Sequence, residues 1–144
     1  MLVLKILESK ADSSVLTVPG TTSVADVTAL LSEKRVGTVV ISEDGTTPSG
    51  ILSERDIVRE LGKRGHACLS DAAETMMTRD PVTCSPEDSA DAVLEKMTSG
   101  RFRHLPVMRD GEMIGLISIG DVVKARLSEL AMEKTALEDM IIGR

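Results

Sequence analysis

The chain has 144 residues, with 17 basic against 23 acidic side chains for a net charge of −6, and 42% of its residues are apolar. That length suits one compact domain or two small, closely joined ones, and the apolar share is sufficient for a real core. The acidic balance argues against a general nucleic-acid binder, which concentrates basic residues on one face. Phe102 is the one aromatic residue, so the core must be built from Val, Leu, Ile, Met and Ala, and a flat ligand would sit between aliphatic side chains.

In chain order, the opening MLVLKIL turns polar too soon for a signal peptide or a membrane span. No later apolar run approaches the ~18 residues a span requires. A soluble cytoplasmic protein without membrane association is expected. Val3–Glu8 reads as a short entry helix. Thr17-Val18 is a brief extended segment, and Ser23 is an N-cap for a helix with Val24, Val27, Leu30 and Leu31 on one face. VGTVVIS reads as a strand, Asp44-Gly45 as a tight hairpin turn and SGILS as the return strand. A helix then begins at Ser53.

Arg64-Gly65-His66 and the small residues after it read as an exposed connection, and Asp71–Met77 as a second short entry helix. Met76 and Met77 are expected to fill core and hinge gaps. The pattern then repeats. Val82-Thr83 is extended, Ser89 is an N-cap, and Ala90, Val93, Leu94 and Met97 form a helical face. RHLPVM and MIGLIS flank Asp110-Gly111, and a helix runs from Asp121 to about Ile142. Its stripe of Val123, Leu127, Leu130, Leu137 and Ile141, broken by Lys134, outruns the repeat. That stripe either packs back on the domain or forms a dimer contact.

The second copy matches the first residue by residue. Thr17 meets Thr83, Ser23 meets Ser89, Val27 meets Val93, Arg35 meets Arg101, and Asp44-Gly45 meets Asp110-Gly111. One residue is then lost, so GILSERD at 50–56 meets GLISIGD at 115–121. Two copies of a β-α-β-β-α unit are too few for an open solenoid and suit a closed pseudo-twofold pair. The expected class is α+β, with a first repeat at 1–65 and a second at 66–144.

The duplicated phrase has two readings. Ser-x-x-Asp at a strand-to-helix junction is a capping box: Ser53 Oγ accepts from the Asp56 N–H and Asp56 accepts from Ser53, and likewise for Ser118 and Asp121. The same geometry offers a ligand site. An aspartate there can accept from a vicinal diol such as ribose, the serine can bond ribose or phosphate, and the preceding glycine would let a ligand approach the backbone. Duplication alone does not choose between them.

The whole chain resembles a tandem pair of cystathionine-β-synthase (CBS) domains, a Bateman module. The resemblance rests on the two Gly-apolar-apolar-Ser-x-x-Asp phrases, the paired Asp-Gly hairpins, MMTRDPVTCSP before the second helix and GRFRHLPV before the second hairpin. It implies two units packed through their sheets, with clefts that take adenosine-containing ligands: AMP most directly, with ADP, ATP, NAD(H) or S-adenosylmethionine as alternatives. It also implies a homodimer of modules. Carried over by position, Ser53 and Asp56 would serve one cleft and Ser118 and Asp121 the other, each aspartate holding ribose hydroxyls. Val15, Thr17, Val82 and Thr83 would border adenine. Arg103 and His104 stand where the family often places phosphate-binding residues. Their counterparts in the first copy are Gly37 and Thr38, so the two clefts are expected to differ, with Arg55 a partial substitute. An unperturbed His104 would titrate near neutrality and make phosphate affinity depend on pH.

His66 and Cys68 lack partners for a metal site, and Cys68 and Cys84 form no CxxC pair. No Walker loop, HExxH or G-x-S-x-G motif is present, and no catalytic residue or metal ligand is expected. Three functions stay open at this point. The chain is a regulatory adenosyl-ligand module signalling to an effector protein, a structural dimer whose boxes only cap, or a small nucleotide-acting enzyme.

Overall fold

The structure, a computed structural model, describes residues 1–143. The described chain divides into two compact units. One contains Ser14–Pro81 and Asp110–Ile114, and holds most of the first repeat. The other contains Met1–Ser13, Val82–Arg109 and the chain from Gly115 onward, and holds most of the second.

In the first-repeat unit, β1 (Thr17–Val18) is followed by α2 (Val24–Lys34), β2 (Thr38–Ile41), β3 (Gly50–Ser53) and α3 (Glu54–Arg64). A 3-10 turn (Gly65–Ser70), the one-turn helix α4 (Ala73–Met76) and β4 (Thr78–Arg79) complete it. The strands form one sheet in the order β1-β2-β3-β4, with β1 parallel to β2 and the other pairs antiparallel. Ser23 caps α2 by accepting from Asp26 N–H at 3.1 Å, as its sequence position predicts. The core is Val18, Val24, Val27, Leu31, Val39, Ile41, Leu52, Ile57 and Ala73. Met76 and Met77 pack against it partly buried, as expected of gap-filling methionines.

The second-repeat unit contains α1 (Val3–Ser9), α5 (Ala90–Gly100), β5 (His104–Arg109) and the C-terminal part of β6 (Glu112–Ser118), and ends in α6 (Ile119–Ile141). Ser89 caps α5 by accepting from Ala92 N–H. The extended entry expected at Val82-Thr83 appears one residue on, where Cys84 bridges Val107 in parallel. Asp110 and Gly111 have φ of 53° and 80°, the two left-handed positions of a tight hairpin turn.

Three sequence expectations need correction. Asp44-Gly45 does not make a tight turn, because β2 ends at Ile41 and β3 begins only at Gly50. Instead the Asp44 carboxylate organises a longer loop, accepting from Thr46 N–H at 2.8 Å, Thr47 N–H at 2.7 Å and the Ser42 and Thr47 hydroxyls. Those bonds, led by the Thr47 and Thr46 amides, hold its pKa well below the usual carboxylate range. The connection after α3 is not wholly exposed either: it winds into the 3-10 turn with Cys68 fully buried.

The chain does not divide at 65/66. The entry helix α1 does not pack on the repeat it precedes. Val3, Ile6 and Leu7 join the core of the second-repeat unit with Cys84, Val93, Met97, Leu105 and Ile117. Likewise Ala73 of α4 joins the first-repeat core. Matching hydrogen bonds fix the exchange: Val3 N–H to Asp88 O at 2.9 Å in one unit, Ala73 N–H to Thr22 O at 2.7 Å in the other. A seven-residue helix is too short to persist alone, so it forms where its apolar face finds burial. Each fully buried Ile or Leu contributes roughly 1.5–3 kcal/mol. Among the described residues, no helix is long and apolar enough to cross a membrane.

Candidate functional site

Both copies of the repeated phrase fold as strand, cap and helix. Ser53 ends β3 in an extended conformation, and its Oγ accepts from Asp56 N–H at 3.3 Å. Asp56 Oδ2 accepts from the Ser53 N–H and from Ser53 Oγ, each at 3.0 Å. Ser118 Oγ accepts from Asp121 N–H at 3.1 Å, and Asp121 Oδ2 accepts from Ser118 N–H at 2.9 Å. Both are complete capping boxes.

The first helical amide is placed alike in each unit. Glu54 N–H donates to Gly37 O, and Ile119 N–H donates to Arg103 O, both at 2.8 Å. The second bond ties the basic segment to the first turn of α6, so Arg103, His104, Ser118 and Asp121 share one corner. Arg103 is exposed and His104 half-buried. In the first-repeat unit the same corner holds Gly37, Thr38, Ser53 and Asp56.

The glycines of the phrase have a use that involves no ligand. A Cβ on Gly115 would stand 2.9 Å from the Leu7 methyl carbons, and one on Gly50 would stand 2.8 Å from Thr78 O. They admit the exchanged entry segments.

Electrostatics separate the two corners. Lys10 Nζ lies 3.0 Å from Asp121 Oδ2 and donates to Leu116 O at 2.9 Å. Burial pushes the Asp121 acid upward, but the Ser118 hydrogen bonds and Lys10 outweigh it, and the net shift is downward. Asp121 is therefore ionised at neutral pH. For His104 burial is the largest influence and lowers its pKa; Asp121 opposes this, while Lys10 and Arg103 reinforce it. His104 is thus neutral at pH 7. It offers a hydrogen bond there, and the titration expected near neutrality is displaced to lower pH. At Asp56 the additional partner is Arg59, 3.4 Å from Oδ1 and 60% exposed. The Glu54 carboxylate fills the space beside Gly37, with Oε1 3.1 Å from where a Cβ would stand.

A family model described as "CBS domain" matches residues 9–63 and again residues 70–128. The chain belongs to the CBS domain family. It is 33% identical over 98% of its length to the Arabidopsis thaliana protein "CBS domain-containing protein CBSX3, mitochondrial", of which it spans 70%. Other curated CBS relatives are much longer, and it spans only 22–23% of them. Its fold matches the CBS-domain protein ATU1752 of Agrobacterium tumefaciens with a TM-score of 0.82 at 37% identity, over 88% of this chain and 99% of that one. The CBS domain protein PAE2072 of Pyrobaculum aerophilum, solved complexed with AMP, matches with a TM-score of 0.76 at 28% identity, over 92% and 99%.

Within this CBS pair, Thr17 lies on β1, with its neighbour Val15 partly buried just before it; Val82 is exposed and Thr83 partly buried. Arg55, second residue of α3, is exposed. A cavity of about 520 Å³ lies elsewhere, between α2 and α3, lined by residues that include Leu31, Arg35, Val36, Glu54 and Val58. Neither Ser53 nor Asp56 lines it. Among the described residues, no group of three or more His, Cys, Asp or Glu is gathered to hold a metal ion. Sequence reasoning missed Lys10 and Glu54. Glu54 was legible as the first residue of its helix. Lys10 was not, because it reaches Asp121 only through the exchange of α1.

Proposed function

We propose that this CBS pair is a regulatory module that binds an adenine nucleotide, AMP foremost, and carries no catalytic activity of its own. ADP, ATP, NAD(H) and S-adenosylmethionine are the alternative ligands. The carrying observation is the corner at Asp121: an ionised carboxylate at a helix N-terminus, with Lys10, Arg103 and a neutral His104 around it. A carboxylate suits a ribose diol, and paired cations suit a phosphate. The AMP complex of a structural relative at 28% identity supports this choice of ligand. Asp56 with Ser53 and Arg55 forms the weaker site, since Glu54 there repels phosphate. Val15 and Thr17, and Val82 and Thr83, would border the base.

Signalling would run through a homodimer to an effector protein in the cytoplasm, with no nucleic acid or membrane involved. A ligand can signal only by binding two arrangements unequally. Leu127, Leu130, Leu137 and Ile141 of α6 are all exposed, at 49–75%, and supply an apolar stripe for the second copy. The test is direct. The chain has no Trp or Tyr, so bound nucleotide would dominate its near-ultraviolet spectrum. Denaturation, extraction and mass spectrometry should recover an adenine nucleotide.

One observation favours a second reading, a structural dimer with empty sites: both aspartates are already engaged as helix caps by the Ser53 and Ser118 amides. A nucleotide-free extract, with no calorimetric response to AMP, ATP, NADH or S-adenosylmethionine, is the outcome that reading predicts.

A further inference from the structure

We propose that Lys10 makes the Asp121 site select phosphorylated adenosyl ligands over the bare nucleoside, by exchanging its carboxylate partner for the ligand's phosphate. The inference rests on the reading of Asp121 as a ribose-binding residue and adds the determinant of ligand class.

A carboxylate oxygen offers about two acceptor positions. Asp121 Oδ2 already receives the Ser118 N–H at 2.9 Å and the Lys10 ammonium at 3.0 Å. It is saturated. A vicinal diol that engages both carboxylate oxygens therefore needs Lys10 to release Oδ2. The Ser118 amide cannot make way, since it is part of the cap that starts α6.

Lys10 can move more readily. Its stem is flexible, its side chain is 26% exposed, and its second bond, to Leu116 O at 2.9 Å, anchors the ammonium at the site's edge. Releasing Oδ2 leaves a partly buried ammonium short of a counter-charge, which is costly unless a new anion replaces the old one. A phosphate on the ligand is such an anion, and Arg103 stands in the same corner to share it. Adenosine brings the diol but no anion. It must either break the Lys10–Asp121 pair uncompensated or settle for Oδ1 alone. AMP brings both halves of the exchange.

The first-repeat corner lacks this device. Counted from the matched bridges Leu2–Ser89 and Ser23–Ala72, the position equivalent to Lys10 is Asp80. Asp56 instead meets Arg59, which is mostly exposed and joined through Oδ1 at 3.4 Å. Discrimination by exchange is thus a property of Asp121 alone.

The experiment is calorimetry of AMP and adenosine on wild type, Lys10→Met, Lys10→Gln and Lys10→Arg, with thermal melts on each. Lys10→Met removes the charge and keeps the bulk; Lys10→Gln retains a donor for Leu116 O should the methionine variant melt early. The wild type should prefer AMP. Either neutral variant should bind AMP roughly ten- to a hundredfold more weakly, the value of one charged hydrogen bond. Adenosine should bind the neutral variants as well as or better than it binds wild type, because Oδ2 is released. Lys10→Arg should keep the preference. Equal losses for both ligands would make Lys10 a structural brace and overturn the inference. Unchanged AMP affinity would overturn it as well, while leaving the nucleotide reading intact. A wild type that binds neither ligand overturns that reading together with this one.

Discussion

The two corners share a backbone and differ in company. At Asp56 and Asp121 the same box closes with nearly the same lengths, and the same first amide reaches the same carbonyl. Yet Asp121 sits with Lys10, Arg103 and the apolar Ile119, whereas Asp56 sits with Arg59, Gly37 and the acidic Glu54. Duplication preserved what the helix start requires and let the charges around it diverge. A repeated motif is therefore good grounds for a repeated cap and poor grounds for a repeated ligand.

The units also differ at their ends, and the largest expected effect lies there. α6 has 23 residues against 11 in α3, and its anchored part ends near Glu129, which pairs with the Met1 ammonium at 2.8 Å, one turn past the Arg126–Asp91 pair at 2.7 Å. Beyond it, an apolar stripe lies exposed. Deleting the residues after Leu130 should convert a dimer to monomers at micromolar concentration while nucleotide affinity changes little. Light scattering across a dilution series checks this; an unchanged mass would make α6 a surface helix only.

A sharper contrast comes from the two phrase glycines. Gly50→Ala would drive a Cβ against the Thr78 carbonyl, part of the paired backbone of β4, and should cost about 1–3 kcal/mol. Gly115→Ala meets only the end of the Leu7 side chain, which can shift, and should cost less. Thermal melts of the two variants should rank in that order. Equal costs would mean that α1 is held as rigidly as β4.

The smallest effect is on pH. Burial depresses the His104 pKa, so below the unfolded value of about 6.5 the unfolded chain takes up a proton that the folded chain resists. Stability should fall as pH drops through that value and level off once the folded imidazole also protonates. Asp121, also depressed, adds a separate loss as pH falls below the ordinary carboxylate range of about 4. His104→Gln should flatten the melting curve between pH 7 and 5 and leave the acid limb in place. Thr38, the counterpart in the other unit, contributes no such titration.

Much of this was legible in the sequence for local reasons. Ser23, Ser53, Ser89 and Ser118 were readable as caps because a cap is decided within four residues. The Asp110-Gly111 turn was readable because both positions need positive φ. What escaped depended on distant partners. Asp44-Gly45 looks like the same turn, but the Thr46 and Thr47 amides capture the Asp44 side chain and widen the loop. The helix at Val3 was visible, yet nothing local says that its apolar face will bury beside Val93 and Ile117. Lys10 is placed by that exchange, so the most informative charge at the site was hidden with it. His104 was visible as a group titrating near neutrality, but the burial that lowers its pKa is revealed only by the folded chain.

The central claim is that the two corners are unequal, with Asp121 the principal nucleotide site. Titrating AMP into nucleotide-free protein by calorimetry, for wild type, Asp121→Asn and Asp56→Asn, tests it most directly. Asparagine retains much of the cap and removes the charge, so melting of Asp56→Asn should change by no more than about 1 kcal/mol, and that of Asp121→Asn by more, because Lys10 also loses its counter-charge. The account predicts one tight site per chain in wild type, weakened roughly ten- to a hundredfold by Asp121→Asn and nearly untouched by Asp56→Asn. Tight binding that survives Asp121→Asn and vanishes with Asp56→Asn, or two equal sites lost one at a time, would contradict it.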